Sequence, residues 1–337
     1  MPEEKSAPDQ NPLDQLFGLM FGWLATRAIH VAAELGIADL LHDGPKTVDQ
    51  LASATGTHRQ SLYRLLRMLA GSGVFAEDRA GRFELTPAAA LLQSGVLRDA
   101  ARMFGEADWN AYGNLLHNIK TGEPAFKHVY GVGFFEYLSS HPEAQVRFDR
   151  GMANGASAEN PVVANSYDFG KFRRVVDVGG GRGGLLAEIL KAYPSLKGVL
   201  YDQPQVVANP DYVTAAGVLD RCEIAGGNFF ESVPKGADAY VLKRIIHDWN
   251  DDTSEGILRR CRDAVVDGGR VIVVDAVVPA GNEFHSSKAS DLLMMVLLDG
   301  RERTEADFRI LLGRAGLKLN RIVPTASVVS IVESERA

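Results

Sequence analysis

Apolar residues recur at helical spacing near the start of the chain. The stripe consists of Leu16, Leu19, Met20, Trp23, Leu24, Ala28, Val31, Ala32 and Leu35. This spacing predicts two helices between Leu13 and Leu41, interrupted near Gly36. A wide apolar face is typical of a core helix, but it also suits a helix that buries itself in a second subunit.

A helix, a turn, a second helix and a strand pair are predicted for residues 46–86, with the turn of the strand pair at residues 78–81. This is the outline of a winged helix, in which the helix at residues 61–69 would enter a DNA groove. The segment has six basic and four acidic residues, and its net charge of +2 is small for a surface that binds DNA phosphates. We interpret residues 1–100 as a winged-helix-like dimerisation domain. A DNA-binding regulator that senses a ligand is the alternative.

Residues 101–165 are predicted to be mostly helical and are rich in aromatic side chains. Most of these side chains belong to a core, but ligand clefts favour the interfaces between domains. We therefore predict that this segment roofs a pocket for a flat aromatic ligand, within a second domain of residues 101–337.

Short β-branched runs alternate with helical stretches after Tyr167. The strand runs are RRVVDV, KGVLYD, CEIAGG, DAYVLK and GRVIVVDA, and the helices include LLAEILKAY and DTSEGILRRCRDAV. The alternation indicates an α/β domain with a mostly parallel, Rossmann-like sheet. The final run, LKLNRIVPTASVVSIVES, predicts an antiparallel hairpin at the edge of that sheet.

Composition and charge narrow the classes of partner. The chain has 337 residues, enough for about two domains, and its 36 basic and 43 acidic residues give a net charge of −7. This charge disfavours nucleic acid and anionic membranes as partners. Cys222 and Cys261 show no paired spacing, and residues 1–12 lack the layout of a signal peptide. We predict a cytoplasmic protein with no membrane span.

A run of glycines, VVDVGGGRGG, joins the first strand of the predicted sheet to the next helix. Gly179, Gly181 and Gly184 satisfy G-x-G-x-x-G, and Asp202 lies 23 residues after Gly179, where a ribose-binding acid is expected. The pattern alone fits several nucleotide cofactors. Asp177 favours a cationic one, because a second acid would repel a pyrophosphate and attract an amine or sulfonium. S-adenosylmethionine is such a ligand, although either acid alone could merely cap a strand end.

Six blocks along the chain resemble one enzyme family in their order. They are VVDVGGGRG, LYDQP, GGNFFESVP, LKRIIHDWNDD, DGGRVIVVDAVVP and DGRERTEADF. Together they resemble the S-adenosylmethionine-dependent O-methyltransferases of the caffeic-acid and hydroxyindole type, including bacterial antibiotic-tailoring members, over most of residues 15–333. The resemblance implies a class I methyltransferase domain, a homodimer, and S-adenosylhomocysteine as the cofactor product.

The resemblance also implies which residues bind the cofactor. Gly179 and Gly181 would face it, Asp202 would hold its ribose, Lys243 would lie near its methionine part, Asn228 and Phe229 would flank its adenine, and Trp249 would pack against it. The family usually has Asp where this chain has Asn228, whose amide can still accept a hydrogen bond but has no charge. We therefore expect either weaker cofactor binding or compensating contacts.

His247 is the candidate general base. The pKa of a phenol is about 10 and that of an imidazole about 6.5, and this difference is small enough for general-base catalysis. The residue follows a predicted strand at the carboxyl edge of the sheet, where such sheets bind ligands. By resemblance, Asp275 and Glu302 orient its second nitrogen. The family more often has Glu at the first of these positions, so Asp275 is one methylene shorter and we expect Glu302 to be the main partner.

The acids after His247 allow other interpretations. Asp252 and Glu255 form a D-x-x-E pattern, which predicts that Asp252 caps a helix. Asp248, Asp251 and Asp252 could together suggest a divalent metal. The eight histidines have no metal-ligand spacing, however, and we predict a metal-independent enzyme with Asp248 near the acceptor.

The resemblance places four residues in the acceptor pocket, namely Phe148, Met152, Met294 and Leu298. The segment DLLMMVLLDGRE is one residue shorter than the plant pattern and lacks its polar asparagine, which leaves an apolar wall. We therefore expect O-methylation of a polycyclic phenol. N-methylation remains open, as does a relative that uses the cofactor to assist decarboxylation or hydroxylation.

Overall fold

The computed structural model describes residues 11–95, 97–103 and 105–337, so most of the segment 1–12 considered above lies outside the described chain. The described chain forms two compact units. One contains residues up to 105 together with 143–155, and the other contains 106–142 and 156–337. The long helix α12 (Pro142–Ser166) contributes to both. A single boundary near residue 100 stays a prediction.

The N-terminal unit is built from short helices and a small sheet. Its helices are α1 (Pro12–Met20), α2 (Gly22–Glu34), α3 (Ile37–Leu40), α4 (Val48–Thr55), α5 (Arg59–Gly71), α6 (Pro87–Ala90) and α7 (Arg98–Met103), and its strands are β1 (Lys46–Thr47), β2 (Phe75–Glu77) and β3 (Arg82–Leu85). The sheet order is β1-β3-β2, with antiparallel pairing throughout. The Asp78 carboxylate accepts hydrogen bonds from the backbone of Ala80 and Arg82 and so closes the predicted turn.

The first helical stretch breaks at two places rather than one. Gly36 adopts a φ of 66° after α2 ends, as the predicted interruption requires. A further break at Phe21 separates α1 from α2, which sequence periodicity did not reveal. No single helix among the described residues is long and apolar enough to span a bilayer, although α1 and α2 reach the needed length and composition as a pair bent by 42°.

The face of α1 and α2 is unusually apolar for a surface. Its large side chains are 39–74% exposed, and they are Leu13, Leu16, Phe17, Leu19, Met20, Phe21, Trp23 and Leu24. The unit nevertheless has its own core, in which Leu51, Leu66, Leu69 and Phe83 are fully buried. The exposed face is therefore additional to the core, as expected of a contact surface.

The C-terminal unit holds the larger sheet. Its helices, besides α12, are α8 (Glu106–Tyr112), α9 (Leu115–Thr121), α10 (Ala125–Tyr130), α11 (Phe134–Ser140), α13 (Gly184–Ala192), α14 (Pro204–Val207), α15 (Asp211–Ala215), α16 (Asp251–Ala264), α17 (Ser286–Leu297) and α18 (Glu305–Arg314), with 3-10 turns at Leu219–Arg221 and Ile246–Asp248. Its strands are β4 (Arg174–Val178), β5 (Lys197–Asp202), β6 (Cys222–Gly226), β7 (Ala239–Lys243), β8 (Arg270–Ala276), β9 (Leu317–Pro324) and β10 (Val329–Arg336).

The seven strands have the order β6-β5-β4-β7-β8-β10-β9. The first five pair in parallel, and β10 runs antiparallel to both β8 and β9, which confirms the predicted hairpin. Alternate residues of the central strands enter opposite cores: Val175 packs in one cluster and Val176 in the other. The topology brings the carboxyl ends of β4, β5, β7 and β8 to one edge.

The start of α16 corrects one prediction. Asn250, not Asp252, is the N-cap, because its Oδ1 accepts a hydrogen bond from the backbone of Thr253 at 2.9 Å. Asp252 is exposed and pairs with Arg314, which also binds Glu255. The D-x-x-E pattern therefore marks ion pairing on the helix surface and lies two residues beyond the true cap.

Candidate active site

The glycine turn follows β4 at the carboxyl edge of the sheet. Gly179, Gly181 and Gly183 have φ values of 70°, 59° and 87°, a region that only glycine adopts readily. A Cβ on Gly179 would overlap the Ile245 side chain, whereas a Cβ on Gly181 would meet nothing within 4 Å. The turn is therefore packed on one side and leaves space for a ligand at Gly181.

Two acids flank this turn, as predicted. The Asp202 carboxylate accepts a hydrogen bond from the Gly181 backbone at 2.8 Å. Asp177 is 2% exposed, and its Oδ2 atom has no hydrogen-bond partner in the described chain. Burial raises the pKa of Asp177 to about 7, and burial also raises the pKa of Asp202. A cation bound beside these acids would offset that cost.

Lys243 ends β7 next to the turn and belongs to an ion-pair network that sequence reasoning missed. Its Nζ lies 2.9 Å from the carboxylate of Glu159 on α12. Arg244 donates two hydrogen bonds to the same carboxylate, at 2.8 and 3.0 Å. Burial alone would raise the pKa of Glu159, but the hydrogen bonds and charge of Arg244, together with Lys243, hold it below its usual range. Asn160, the next residue of α12, lies against Gly184.

Aromatic side chains border the loop after β6. Phe229 lies 3.5 Å from the position of a Cβ on Gly179. Phe230 packs edge-on against Trp249, with ring centroids 4.8 Å apart, and the Nε1 atom of Trp249 is buried without a partner in the described chain. The amide of Asn228 accepts from Phe230 and donates to Glu231, both at 3.0 Å. An aspartate at 228 would face the Glu231 carboxylate, which gives a physical reason for the departure from Asp.

His247 lies in the 3-10 turn after β7 and is 6% exposed. Its Nδ1 lies 3.0 Å from Oε1 of Glu302, and its Nε2 lies 3.4 Å from Oδ1 of Asp248. Asp275, at the end of β8, accepts a hydrogen bond from the backbone N–H of His247 at 3.1 Å. The short side chain of Asp275 thus contacts the backbone of the candidate base, while Glu302 contacts its ring.

Three carboxylates decide the charge of this imidazole. Burial alone would lower the pKa of His247, but the carboxylates of Asp248, Asp275 and Glu302 together raise it to about 9. Burial raises the pKa of Asp248 to about 6 and also raises that of Asp275. Burial alone would raise the pKa of Glu302, but its hydrogen bond with His247 keeps that pKa below the usual range.

An apolar cavity of about 440 Å³ opens beside these groups within the C-terminal unit. It is lined by Tyr112, Leu115, Ala289, Ser290, Leu292, Leu293 and Val296. The Ser290 hydroxyl also donates a hydrogen bond to Oε1 of Glu302 at 2.6 Å, which connects the cavity to the His247 cluster. The cavity can accept a flat apolar molecule close to the candidate base.

None of the four residues predicted for the acceptor pocket is among the described residues that line this cavity. Met294 is buried on α17 and Leu298 follows that helix, and neither is among the described residues that line the cavity. Phe148 and Met152 lie on the part of α12 that belongs to the N-terminal unit. Their role toward an acceptor stays a prediction.

Sequence reasoning missed two residues beneath His247. Arg303 is 1% exposed and donates hydrogen bonds to the carbonyls of Ile246 and Trp249. A Cβ on Gly300 would overlap the His247 carbonyl oxygen. Both lie in the block DGRERTEADF, but a motif does not reveal what its members contact.

The acid cluster after His247 is engaged in ion pairs. Asp251 pairs with Arg301 and Arg303, each at 2.8 Å. Over the described part of the chain, no group of three or more His, Cys, Asp or Glu side chains is arranged to hold a metal ion.

The fold and the site define an α/β enzyme with a nucleotide-type cofactor site at the glycine turn and an apolar cavity linked to the His247 cluster through Ser290. The family model for the O-methyltransferase domain matches residues 112–318, and that for the O-methyltransferase dimerisation domain matches residues 17–95. The chain therefore belongs to the O-methyltransferase family.

Three proteins of known name are similar to the chain over most of its length. A phenazine O-methyltransferase of Lysobacter antibioticus is 43% identical over 95% of each chain. A mitomycin biosynthesis 6-O-methyltransferase of Streptomyces lavendulae is 41% identical over 99% of this chain and 96% of its own. An O-methyltransferase from neocarzinostatin biosynthesis, solved with S-adenosylmethionine and 2-hydroxy-5-methyl naphthoic acid, has a TM-score of 0.83 and 35% identity over 98% of this chain and 100% of its own. Other relatives are N-methyltransferases.

Proposed function

We propose that the protein transfers a methyl group from S-adenosylmethionine to the phenolic oxygen of an aromatic natural product, with His247 as general base. One observation carries the proposal: the His247 ring is held by Glu302, and Glu302 is bonded to Ser290 in the wall of an apolar cavity. A phenol in this cavity would lie beside the residues that hold the His247 ring, and in the proposed reaction its hydroxyl reaches Nε2, the ring nitrogen that Glu302 leaves free. The apolar lining favours polycyclic phenols over small polar ones.

The residues at the glycine turn fit S-adenosylmethionine. The open side of Gly181 leaves room for the nucleoside, and Asp202 would hold its ribose. The unpartnered Oδ2 of Asp177 and the ammonium of Lys243 offer opposite charges to an amino-acid group. When bound, the cofactor supplies an electrophilic methyl group on a sulfonium. Phe229 and Trp249 would pack against its flat and apolar parts.

His247 would act in its neutral form. With Nδ1–H donated to Glu302, its Nε2 has a free lone pair for the phenolic proton. After transfer, the ring carries a positive charge that the Glu302 carboxylate stabilises, and the new Nε2–H points toward Asp248. Asp275 fixes the backbone N–H of the same residue, so that the ring keeps its place during proton transfer.

Isotope transfer tests the proposed reaction. The protein is incubated with methyl-deuterated S-adenosylmethionine and a panel of phenazine, naphthoate and single-ring phenols, each with its amine analogue. We expect label on the phenolic oxygen of the polycyclic members. Label on amines alone would replace the proposal with N-methylation. Binding of the cofactor product with no label on any acceptor would favour the non-methylating alternative.

The pH dependence of kcat/KM follows from the charge of His247. Because the pKa of His247 is raised to about 9, the base is mostly protonated at neutral pH. We expect kcat/KM to rise by about tenfold per pH unit up to about 9 and then to level off. In Asp248→Asn one carboxylate is lost, so the pKa of His247 falls and the profile moves to lower pH. Initial rates over pH 6–10 with one phenol check this.

Asp252→Asn is the matched control for that profile. Asp252 is also an acid of this segment, but its side chain is 90% exposed and pairs with Arg314. Its removal is expected to leave the profile in place. A wild-type profile that is flat below pH 9, or an Asp248→Asn profile that coincides with the wild type, would contradict the assigned base.

The protein is proposed to act as a homodimer in the cytoplasm. The match of residues 17–95 to a dimerisation domain and the exposed apolar face of α1 and α2 support self-association. Two buried free cysteines, Cys222 and Cys261, are compatible with a reducing compartment.

A further inference from the structure

Arg303 is among the largest fully buried side chains of the described chain, although it is charged. Its guanidinium lies next to the 3-10 turn that carries His247. A buried guanidinium is costly unless its N–H donors find acceptors and its charge finds a partner. The contacts of Arg303 meet both needs, and they meet them largely within the segment that surrounds His247.

Two of these contacts bracket the candidate base. Nη1 donates to the carbonyl of Ile246 at 2.9 Å, and Nη2 donates to the carbonyl of Trp249 at 3.0 Å. These carbonyls lie one residue before and two residues after His247. Nη2 also donates to the hydroxyl of Ser254, and that hydroxyl in turn donates to the carbonyl of Ile246. The guanidinium therefore holds both ends of the turn.

The charge of Arg303 is balanced by Asp251. Oδ1 of Asp251 accepts from Nε at 3.1 Å and from Nη2 at 2.8 Å. Asp251 is the first residue of α16, so this pair also joins the turn to the helix that follows it. A guanidinium can bind two carbonyls and a carboxylate at once because its donors form a rigid planar fork, which a lysine ammonium does not.

Arg303 is itself held by the end of the sheet. Its backbone carbonyl accepts a hydrogen bond from Val278 at 2.9 Å, and it bridges Val277, just beyond β8. The preceding residue, Glu302, binds the His247 ring from the same segment. Adjacent side chains of one segment thus bind the His247 ring, through Glu302, and the backbone carbonyls on both sides of His247, through Arg303.

We propose that Arg303 is a positioning residue for methyl transfer, which fixes the backbone on both sides of His247 so that Glu302 can orient the ring. This inference rests on the proposed role of His247 as general base. Displacement of a catalytic group by about 1 Å can lower a rate by about 100-fold, so a loosened turn should reduce turnover without removing any reacting group.

Arg301 provides a matched control. It is also an arginine of this segment and also pairs with Asp251, at 2.8 Å. Its side chain is 43% exposed, and its other ion pair is with Asp307 at 3.5 Å. Among its contacts in the described chain, none reaches the carbonyls of Ile246 or Trp249. Arg301→Lys therefore perturbs the same counterion but leaves the proposed clamp intact.

The test compares Arg303→Lys and Arg301→Lys in the full-length protein. Measurements are kcat and KM for a phenol, binding of S-adenosylhomocysteine by calorimetry, thermal unfolding, and the titration of the His247 imidazole by ¹⁵N NMR. Arg303→Lys is expected to lower kcat by about 100-fold, and to change KM and product binding by less than about threefold. Its His247 pKa should fall, because the ring moves away from the carboxylates. Arg301→Lys should stay near wild type in every measurement.

Several outcomes would overturn the proposal. They are a kcat within about threefold of wild type in folded Arg303→Lys, an equal loss in Arg301→Lys, and a kcat loss with an unchanged His247 titration. If Arg303→Lys does not fold, Asp251→Asn replaces it, since it removes the counterion of the guanidinium, and it should show the same lowered titration and reduced kcat. If the wild type transfers no methyl group, the proposed function fails by itself, and the NMR titration then decides the role of Arg303 without an acceptor.

Discussion

Replacement of His247 by glutamine is expected to lower kcat by about 10²–10⁴-fold, the usual contribution of a general base. The amide can still donate a hydrogen bond to Glu302, which keeps the buried carboxylate partnered, but it cannot take a proton from the acceptor. The loss should be greatest for phenols of high pKa, because their hydroxyls need the most help to ionise. Single-turnover rates with a series of substituted phenols measure this dependence.

The choice of glutamine separates catalysis from stability. Alanine at this position would leave the buried Glu302 carboxylate without the hydrogen bond that the ring donates, whereas the glutamine amide keeps that donor, and a buried acceptor without a partner is expensive. Binding of S-adenosylhomocysteine by the glutamine variant should match the wild type. Full turnover by this variant with a weakly acidic phenol would contradict the assignment of His247 as base.

Most of the C-terminal unit follows from sequence pattern. Five runs after Tyr167 form the parallel strands, and four of them, β4, β5, β7 and β8, are mostly buried, because residues buried on both faces of a sheet leave a continuous apolar signature. The break at Phe21 could not be predicted in this way. The residues on both sides of it have the same helical spacing, so periodicity predicts one continuous helix.

The sequence predicted those site residues whose type alone indicates a function. Gly181 and His247 stand out because a left-handed turn and an imidazole have few substitutes. Asp275 was expected to fall short of the ring, and it contacts the His247 backbone instead. Arg303 and Glu159 were not predicted, since charged residues are usually exposed and their burial depends on contacts distant in sequence.

The acceptor cavity was the least predictable feature. Leu292, Leu293 and Val296 belong to the same apolar run as Met294, and which of them line a cavity depends on how α17 is rotated. In a run of apolar residues without regularly spaced polar ones, the sequence does not show which side of the helix is buried. Ser290 is different, because it is one of the lining residues and its hydroxyl binds Glu302, but a single serine has no signature in the sequence.

Gly300→Ala is expected to impair the site through its backbone alone. A Cβ at this position would overlap the His247 carbonyl oxygen and lie 2.5 Å from the carbonyl carbon of Asp248. These are backbone atoms, so they cannot move aside as a flexible side chain would. Moving the turn should lower kcat by about 100-fold. The overpacking should also cost about 1–3 kcal/mol of the free energy of unfolding. Kinetics and denaturant unfolding measure the two effects separately.

Gly313→Ala is the opposite case and serves as the control. Gly313 lies within α18, and a Cβ there would meet nothing within 4 Å. Alanine is preferred over glycine in a helix by about 0.5–1 kcal/mol, so this variant should be more stable than the wild type and equally active. The two substitutions add the same methyl group, and only the contact with the His247 turn distinguishes them. Equal kcat and equal stability in both variants would mean that the close approach of Gly300 does not hold this turn in place.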